Sequence, residues 1–265
     1  MHTEISFPNL GIYLKNVGKS IDLFGIEIAY YGIIIGTAIL LGFWIAAREA
    51  KRTGQNPENY LDMGIIGVIA GIVGARLYYV IFYKDNLLDI FNLREGGLAI
   101  YGGVIAAVIS VLVLAKVKHL SAPQIFDTIA MALLNGQMLG RWGNFFNSEA
   151  FGAPTNLPWK LYIAPQYRPI PYQDYQYFHP AFLYESILDL AVFAILLVLT
   201  KTGRLKKDGN LTLIYLILYS LVRIFVEMFR LDSVMYILGV PVAIFVSVGI
   251  IIVSTAVFIY NVKRG

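Results

Sequence analysis

The sequence predicts an all-α, polytopic integral membrane protein with seven transmembrane helices, its N-terminus outside and its C-terminus cytoplasmic. Three observations predict it. Of 265 residues, 58% are hydrophobic and only 14% charged, where a soluble domain of this length carries about a quarter charged. Seven mostly apolar runs approach the roughly 20 residues that a helix needs to cross a bilayer. A bilayer leaves such segments only the helix as a way to satisfy their backbone groups. Finally, lysine and arginine gather in alternate connections, which sets orientation.

Residues 1–24 precede the first span, and the first 20 of them carry no basic start, apolar core and small-residue cleavage site, the marks of a signal peptide. They are expected to form an outer-surface arm, with the first span, 25–47, serving as an uncleaved insertion signal. The remaining spans are expected at 62–83, 97–115, 124–140, 181–200, 211–230 and 240–260. The fourth and sixth are less pure, since each ends in charged residues. On one side the connections are dense in basic residues: Arg48, Lys51 and Arg52, then Lys116 and Lys118, then Lys201, Arg204, Lys206 and Lys207, and last Lys263 and Arg264. The other side holds the sparser Lys15, Lys19, Lys84, Arg94, Lys160 and Arg168. Residues 141–180 form a long outer-face loop rich in proline and tyrosine, residues suited to turns and to the membrane interface. The whole, 1–265, reads as a single membrane domain. Three small-xxx-small pairs, Gly32/Gly36, Gly67/Gly71 and Gly136/Gly140, would permit close helix packing.

Composition also excludes. The chain has no cysteine, hence no disulfide, no thiolate nucleophile and no cysteine-based metal site. His2, His119 and His179 are scattered, which argues against a histidine metal cluster. The net charge of +4 belongs to the basic loops. No basic cluster interleaved with aromatics suggests nucleic acid.

Charged groups inside the spans mark function by default, because they are costly there. In YSLVRIFVEMFR, Tyr219, Arg223, Glu227 and Arg230 fall along one helical face. A self-neutralising ladder accounts for Glu227 but leaves one positive charge over, which suits an anionic ligand. GRWGNFFNSEAFG, residues 140–152, raises the same question at the outer end of the fourth span. Arg141 there reads either as an anchor that snorkels to the interface or as a planar fork for phosphate. The second reading gains from Gly143, Asn144, Asn147 and Glu149 beside it, which allow close backbone approach and offer donors and acceptors. Arg76, mid-span, calls for a structural partner, with Glu185 and Asp189 as the two choices. In GGLAIYGGV, residues 96–104, paired glycines flank Tyr101 and suggest a broken helix or a close approach to lipid. HPAFLYE, with His179 and Glu185, opens the fifth span.

GGLAIYGG, GRWGNFFNSEAFG, HPAFLYE and YSLVRIFVEMFR stand in that order along nearly the whole chain, which resembles the prolipoprotein diacylglyceryl transferases of the bacterial inner membrane. The resemblance implies transfer of the diacylglyceryl group of phosphatidylglycerol to the lipobox cysteine thiol of a prolipoprotein signal peptide. A thioether forms and glycerol-1-phosphate leaves, at the outer leaflet of the cytoplasmic (inner) membrane. No cofactor is implied; the partners are membrane lipids and the prolipoprotein, and no nucleic acid. Catalytic roles then fall to Arg141, Arg223 and Tyr101. Arg141, Asn144, Glu149, Gly152, Tyr31, Tyr219, Glu227 and Arg230 would bind substrate, with Arg141 and Arg223 on the lipid phosphate and Glu227 and Arg230 orienting Arg223 or lining the exit path. One departure stands out. Many Gram-negative members carry histidine, proposed as the thiol's base, where this chain has Tyr101. A neutral tyrosine, with pKa about 10, is a poor base near pH 7, so Tyr101 positions substrate, nearby arginines shift a pKa, or Glu149 or His179 takes the proton.

Two other classes compete. A transporter of anionic solutes should show polar groups across the whole membrane and often internal symmetry. Here the polar groups gather towards the outer half, and no repeat or matching halves are evident. A seven-helix receptor or lipid-binding scaffold would not need this density of Arg, Asn and Glu.

Overall fold

A computed structural model describes residues 3–83, 90, 97–203, 205, 207–231 and 236–264. Gly96 of the glycine-flanked motif lies outside the described residues, as do His2 and the loop residues Lys84, Arg94, Arg204 and Lys206.

Seven long helices carry the chain: α1 (Tyr30–Arg52), α2 (Pro57–Tyr83), α3 (Ile100–Val117), α4 (Ala122–Asn147), α5 (Ala181–Thr202), α6 (Asn210–Glu227) and α7 (Val242–Arg264). All but α4 are long and apolar enough to cross a membrane. The 26 residues of α4 reach about 39 Å at the helical rise, but Asp127, Asn135, Gln137, Arg141 and Asn144 dilute its hydropathy. Two expected boundaries shift. The fourth helix runs on through GRWGNFFN, so the first seven residues of the supposed outer loop, 141–147, are helical. The sixth ends at Glu227, and Arg230 falls beyond it, off the helical face on which it was expected.

The chain is mostly helical, and the expectation of an all-α fold is corrected by short strands in the segments between apolar runs. β1 (Thr3–Phe7), β2 (Ile12–Val17), β5 (Leu161–Tyr162) and β6 (Tyr177–Phe178) form an antiparallel sheet in the order β2-β1-β5-β6. Two further hairpins precede spanning helices: β3 (Ser20–Leu23) with β4 (Ile26–Ala29), and β7 (Tyr236–Ile237) with β8 (Val240–Pro241). The physical reason is location. Open sheet edges are excluded from hydrocarbon, but they are free to form where water meets the backbone.

Described residues divide into two compact units, one of residues 1–42 and 130–265 and one of residues 43–129. In the first, Ile5 and Phe7 of β1, Leu161 of β5 and Phe178 of β6 bury against Phe145 of α4 and Phe182 of α5. Burying a Phe contributes about 1.5–3 kcal/mol. That aromatic cluster therefore pins the end of α4 to the start of α5, four residues after Arg141 and three before Glu185. Deeper in the same unit, the buried Asn135 amide donates to the Ala38 carbonyl (3.1 Å) and ties α4 to α1.

In the second unit one glycine of the expected pairs, Gly71, faces the Gly103 carbonyl, its Cβ position 3.6 Å from that oxygen, and the tightest contacts fall to glycines outside those pairs. A Cβ on Gly102 would lie 2.3 Å from the Gly74 carbonyl oxygen, and one on Gly74 would lie 2.6 Å from the Gly102 oxygen. α2 and α3 thus touch backbone to backbone, and the IYGG of GGLAIYGG opens α3, packed closely on its neighbour. Gly32, Gly36, Gly67 and Gly136 meet nothing within 4 Å. Arg76, 1% exposed, donates to the Gly97 carbonyl (3.1 Å) and lies over the Tyr79 ring.

Candidate active site

Three arginines of the first unit converge on one buried carboxylate. Glu185, in the second turn of α5, is ion-paired with Arg141 Nη2 at 2.9 Å and accepts from Arg223 Nη1 at 3.0 Å to each oxygen; Arg230 Nη1 stands 3.8 Å away. Arg223 also donates through Nη2 to Glu227, one helical turn on, at 2.8 Å. The carboxylates are sealed, with side chains 1% and 4% exposed, while the three arginines keep 15–19%. Three guanidiniums and two carboxylates leave this group of five with one positive charge. The Nε of Arg141 is buried and has no hydrogen-bond partner among the described residues. A donor so placed stands ready for an acceptor that the described residues do not supply.

The backbone around the cluster is shaped by α4's termination. Ser148 takes φ +58° and Ala150 φ +53°, left-handed values that are uncommon for residues other than glycine. They turn the chain sharply after the helix. Glu149 N–H then caps the Asn144 carbonyl (2.9 Å), and the Asn144 amide reaches the Glu149 carboxylate at 3.5 Å. Next, Gly152 N–H bonds the His179 carbonyl (2.7 Å) and Ala153 N–H the Phe229 carbonyl (2.8 Å), with Gly152 bridged to Arg230. Only glycine fits at 152, since a Cβ would lie 2.7 Å from the Phe229 oxygen and 2.9 Å from the His179 Cβ. Gly143 is likewise filled, with the Tyr31 ring 2.3 Å from where its Cβ would be.

The expected residues thus sort into groups. Arg141, Arg223, Glu227 and Arg230 come together, and Gly152 is clamped to the Arg230 backbone. Tyr31 heads α1 and packs on α4 two residues past Arg141. Tyr219, one turn before Arg223, is partly buried and stacks on Tyr215 at 5.9 Å. Asn144 and Glu149 pair with each other. Tyr101 belongs to the second unit, 47% exposed in the first turn of α3.

Sequence reasoning misplaced Glu185, the hub of the cluster, as a choice of partner for Arg76. A charge balance could have found it: three arginines expected at one membrane face need more than Glu227, and Glu185 lies near the same end of its span. The other choice, Asp189, lies one turn further along α5, fully buried, with neither carboxylate oxygen hydrogen bonded among the described residues.

His179 is fixed beside the cluster. Trp159 Nε1 donates to the Tyr184 hydroxyl (2.7 Å), whose own proton is then free for His179 Nδ1 at 3.1 Å. In the tautomer with its proton on Nε2, the ring accepts that hydroxyl proton at Nδ1. Burial lowers the His179 pKa from its ordinary value, so the ring is neutral at neutral pH.

The family model described as prolipoprotein diacylglyceryl transferase matches residues 19–260. Proteins named phosphatidylglycerol–prolipoprotein diacylglyceryl transferase are similar along most of their length. The one from Thermotoga petrophila is 48% identical over 80% of this chain and 73% of its own. That from Thermosynechococcus vestitus is 42% identical over 83% and 84%, and that from Finegoldia magna 43% identical over 92% and 95%.

Proposed function

This chain belongs to the prolipoprotein diacylglyceryl transferase family, and we propose from that premise how its arginine cluster serves the reaction. The protein is a transferase of lipoprotein biogenesis that moves the diacylglyceryl group of phosphatidylglycerol to a prolipoprotein. The acceptor is the lipobox cysteine thiol at the signal peptide. Its sulfur attacks the diacylglyceryl carbon that bears the phosphate, a C–S bond forms, and the C–O bond breaks. The electron pair leaves with the phosphate as glycerol-1-phosphate, and the thiol proton passes to a base and then to product. The enzyme spans the bacterial inner membrane seven times, N-terminus outside, with this site towards the outer leaflet. The alternation of basic loops supports that orientation.

The observation that carries the mechanism is the convergence of Arg141 and Arg223 on the buried Glu185. A planar fork suits phosphate, and charge growing on the departing phosphate is what such a fork stabilises. Glu185 and Glu227 hold the forks in place before the lipid arrives. Arg141 Nε offers a donor to the phosphate without breaking any bond present. Tyr31, Tyr219 and Arg230 line the approach, and Gly152 lets the segment carrying Arg230 come close. For the thiol proton, His179 is the weaker choice, because its accepting nitrogen is engaged by Tyr184. Glu149, exposed and held by Asn144, is the better one, while Tyr101 positions substrate.

Turnover tests this reading. Purified protein in detergent receives phosphatidylglycerol and a lipobox peptide, and glycerol phosphate release is followed. Wild type releases it; folded Arg141→Ala loses about 10²–10³-fold, the usual cost of one such donor. Equal release by both would return Arg141 to an interface anchor.

A further inference from the structure

The two hairpins ahead of α1 and α7 share a construction that the reaction does not use. Leu23 pairs with Ile26, and Ile237 with Val240, so each turn is a two-residue loop, Phe24-Gly25 and Leu238-Gly239. All four residues have positive φ: +57° and +83° in the first, +50° and +78° in the second. This is the turn that prefers asparagine or aspartate before glycine. A bulky apolar residue is a poor fit in the left-handed region, yet both tips carry one. Each points fully away from the protein, Phe24 at 103% and Leu238 at 95% relative exposure.

The first hairpin is also two-faced. Pairing puts Ile21, Leu23, Ile26 and Ile28 on one side and Ser20, Asp22, Glu27 and Ala29 on the other. Three of the four apolar side chains are exposed. In water such a ribbon is marginal at best. Continuity says what covers it. β4 ends at Ala29 and α1 begins at Tyr30; β8 ends at Pro241 and α7 begins at Val242. Both helices are apolar enough to span, so each tip sits within a few residues of a membrane entry point. An amphipathic element there lies with its apolar face in the acyl boundary, and Asp22 and Glu27 face water.

We propose that Phe24 and Leu238 are lipid-docking tips, sunk into the bilayer interface, and that they hold the arginine cluster at headgroup level. The chain supports the second part. Tyr31, packed on α4 beside Arg141, follows the first hairpin, and Arg230 precedes the second. That part rests on the function proposed above; the docking itself does not.

Because the chain has no cysteine, a single introduced thiol labels one position. Phe24→Cys, Leu238→Cys and Glu27→Cys, each carrying a nitroxide, are reconstituted in phosphatidylcholine–phosphatidylglycerol vesicles. Collision with oxygen and with a water-soluble nickel chelate is then read by electron paramagnetic resonance. Labels at 24 and 238 favour oxygen and the label at 27 favours nickel. Nickel access at 24 and 238 equal to that at 27 overturns docking, as does protection from both relaxers, which would place a protein partner over the tips. Phe24→Asp with Leu238→Asp reads the second part: KM for the lipid rises several-fold in vesicles, while kcat, and KM in detergent micelles, stay unchanged. Unchanged KM in vesicles, with the labels reading lipid, overturns depth-setting and leaves docking in place. No turnover by wild type would strike the proposed function and leave the labels interpretable.

Discussion

Arginine is buried in two ways in this protein. In the second unit Arg76 is sealed at 1% exposure, bonded to a backbone carbonyl and covered by an aromatic ring. In the first unit Arg141, Arg223 and Arg230 share carboxylates that are more deeply buried than they are. The first arrangement pins a loop to a helix. The second holds cations rigid while leaving them within reach of a ligand, the order expected of an electrostatic site that must not reorganise during reaction. Burial of the anion rather than the cation separates a site from a strut.

The sharpest way to break that contrast is to alter both. Glu185→Gln keeps the shape and removes the charge that orients Arg141 and Arg223. We expect kcat to fall about 10²-fold, the scale on which small misplacements act. Breaking a buried pair should also cost about 3–5 kcal/mol of stability. Arg76→Met should do the reverse, lowering the thermal midpoint with kcat per folded molecule nearly kept. Glycerol phosphate release and thermal unfolding, measured on both variants, decide. If Arg76→Met lost turnover as deeply, Arg76 would have to be counted with the site.

Glycines sharpen the comparison with a smaller effect. Gly152→Ala drives a Cβ against the Phe229 carbonyl and so moves the segment that carries Arg230. Turnover should fall at least tenfold. Gly74→Ala, with its Cβ 2.3 Å from Ala106 Cβ, overpacks α2 against α3 at about 1–3 kcal/mol and should spare kcat. Gly67→Ala, which meets nothing, should gain about 0.5–1 kcal/mol from helix propensity.

These glycines also show what could be read from the sequence. Hydropathy located the seven long helices of the described residues, six of them apolar enough to span. The role of Arg223 with Glu227 was legible from i, i+4 spacing. Which glycines touch was not, since spacing puts Gly67 and Gly71 on one face without saying what faces them. Gly74 and Gly102 are decided by the register of α2 on α3. Glu185 was missed for the same reason, as its partners come from α4 and α6. The strands were partly legible. Alternation in TEISF and around the FG of IDLFGIEI carries the signal, but the prior of an all-helical membrane chain outweighed it. The extension of α4 through GRWGNFFN was hidden because glycine and asparagine read as loop. In place, Tyr31 fills Gly143 and the aromatic cluster holds Phe145, and tertiary packing overrides propensity.

Tyr101 tests the catalytic role that the resemblance assigns to it. It is half-exposed at the head of α3, and a neutral phenol is a weak base near pH 7. Tyr101→Phe should keep at least about a third of wild-type turnover, a loss under 1 kcal/mol in barrier. Abolished turnover in a folded variant would make the hydroxyl part of the chemistry and remove Glu149 from that role.

The smallest expected effect belongs to His179. Burial lowers its pKa in the fold, so between the folded value and the ordinary value near 6.5 the unfolded chain binds more protons. Stability therefore rises with pH across that window. The contribution is complete above about pH 6.5 and is lost as pH falls through the folded value. With its proton on Nε2 the neutral ring accepts from Tyr184, which accepts from Trp159; protonation then turns Nδ1 into a donor facing a hydroxyl already aimed at it. Thermal midpoints from about pH 7.5 down to 5 should decline more steeply for wild type than for His179→Gln, whose amide oxygen can accept from Tyr184 but does not titrate. Parallel curves would mean that the Tyr184 hydroxyl turns without cost and that the chain Trp159–Tyr184–His179 is not a fixed proton arrangement. In that event Nδ1 would be free to accept the thiol proton, and His179 would replace Glu149 as the base.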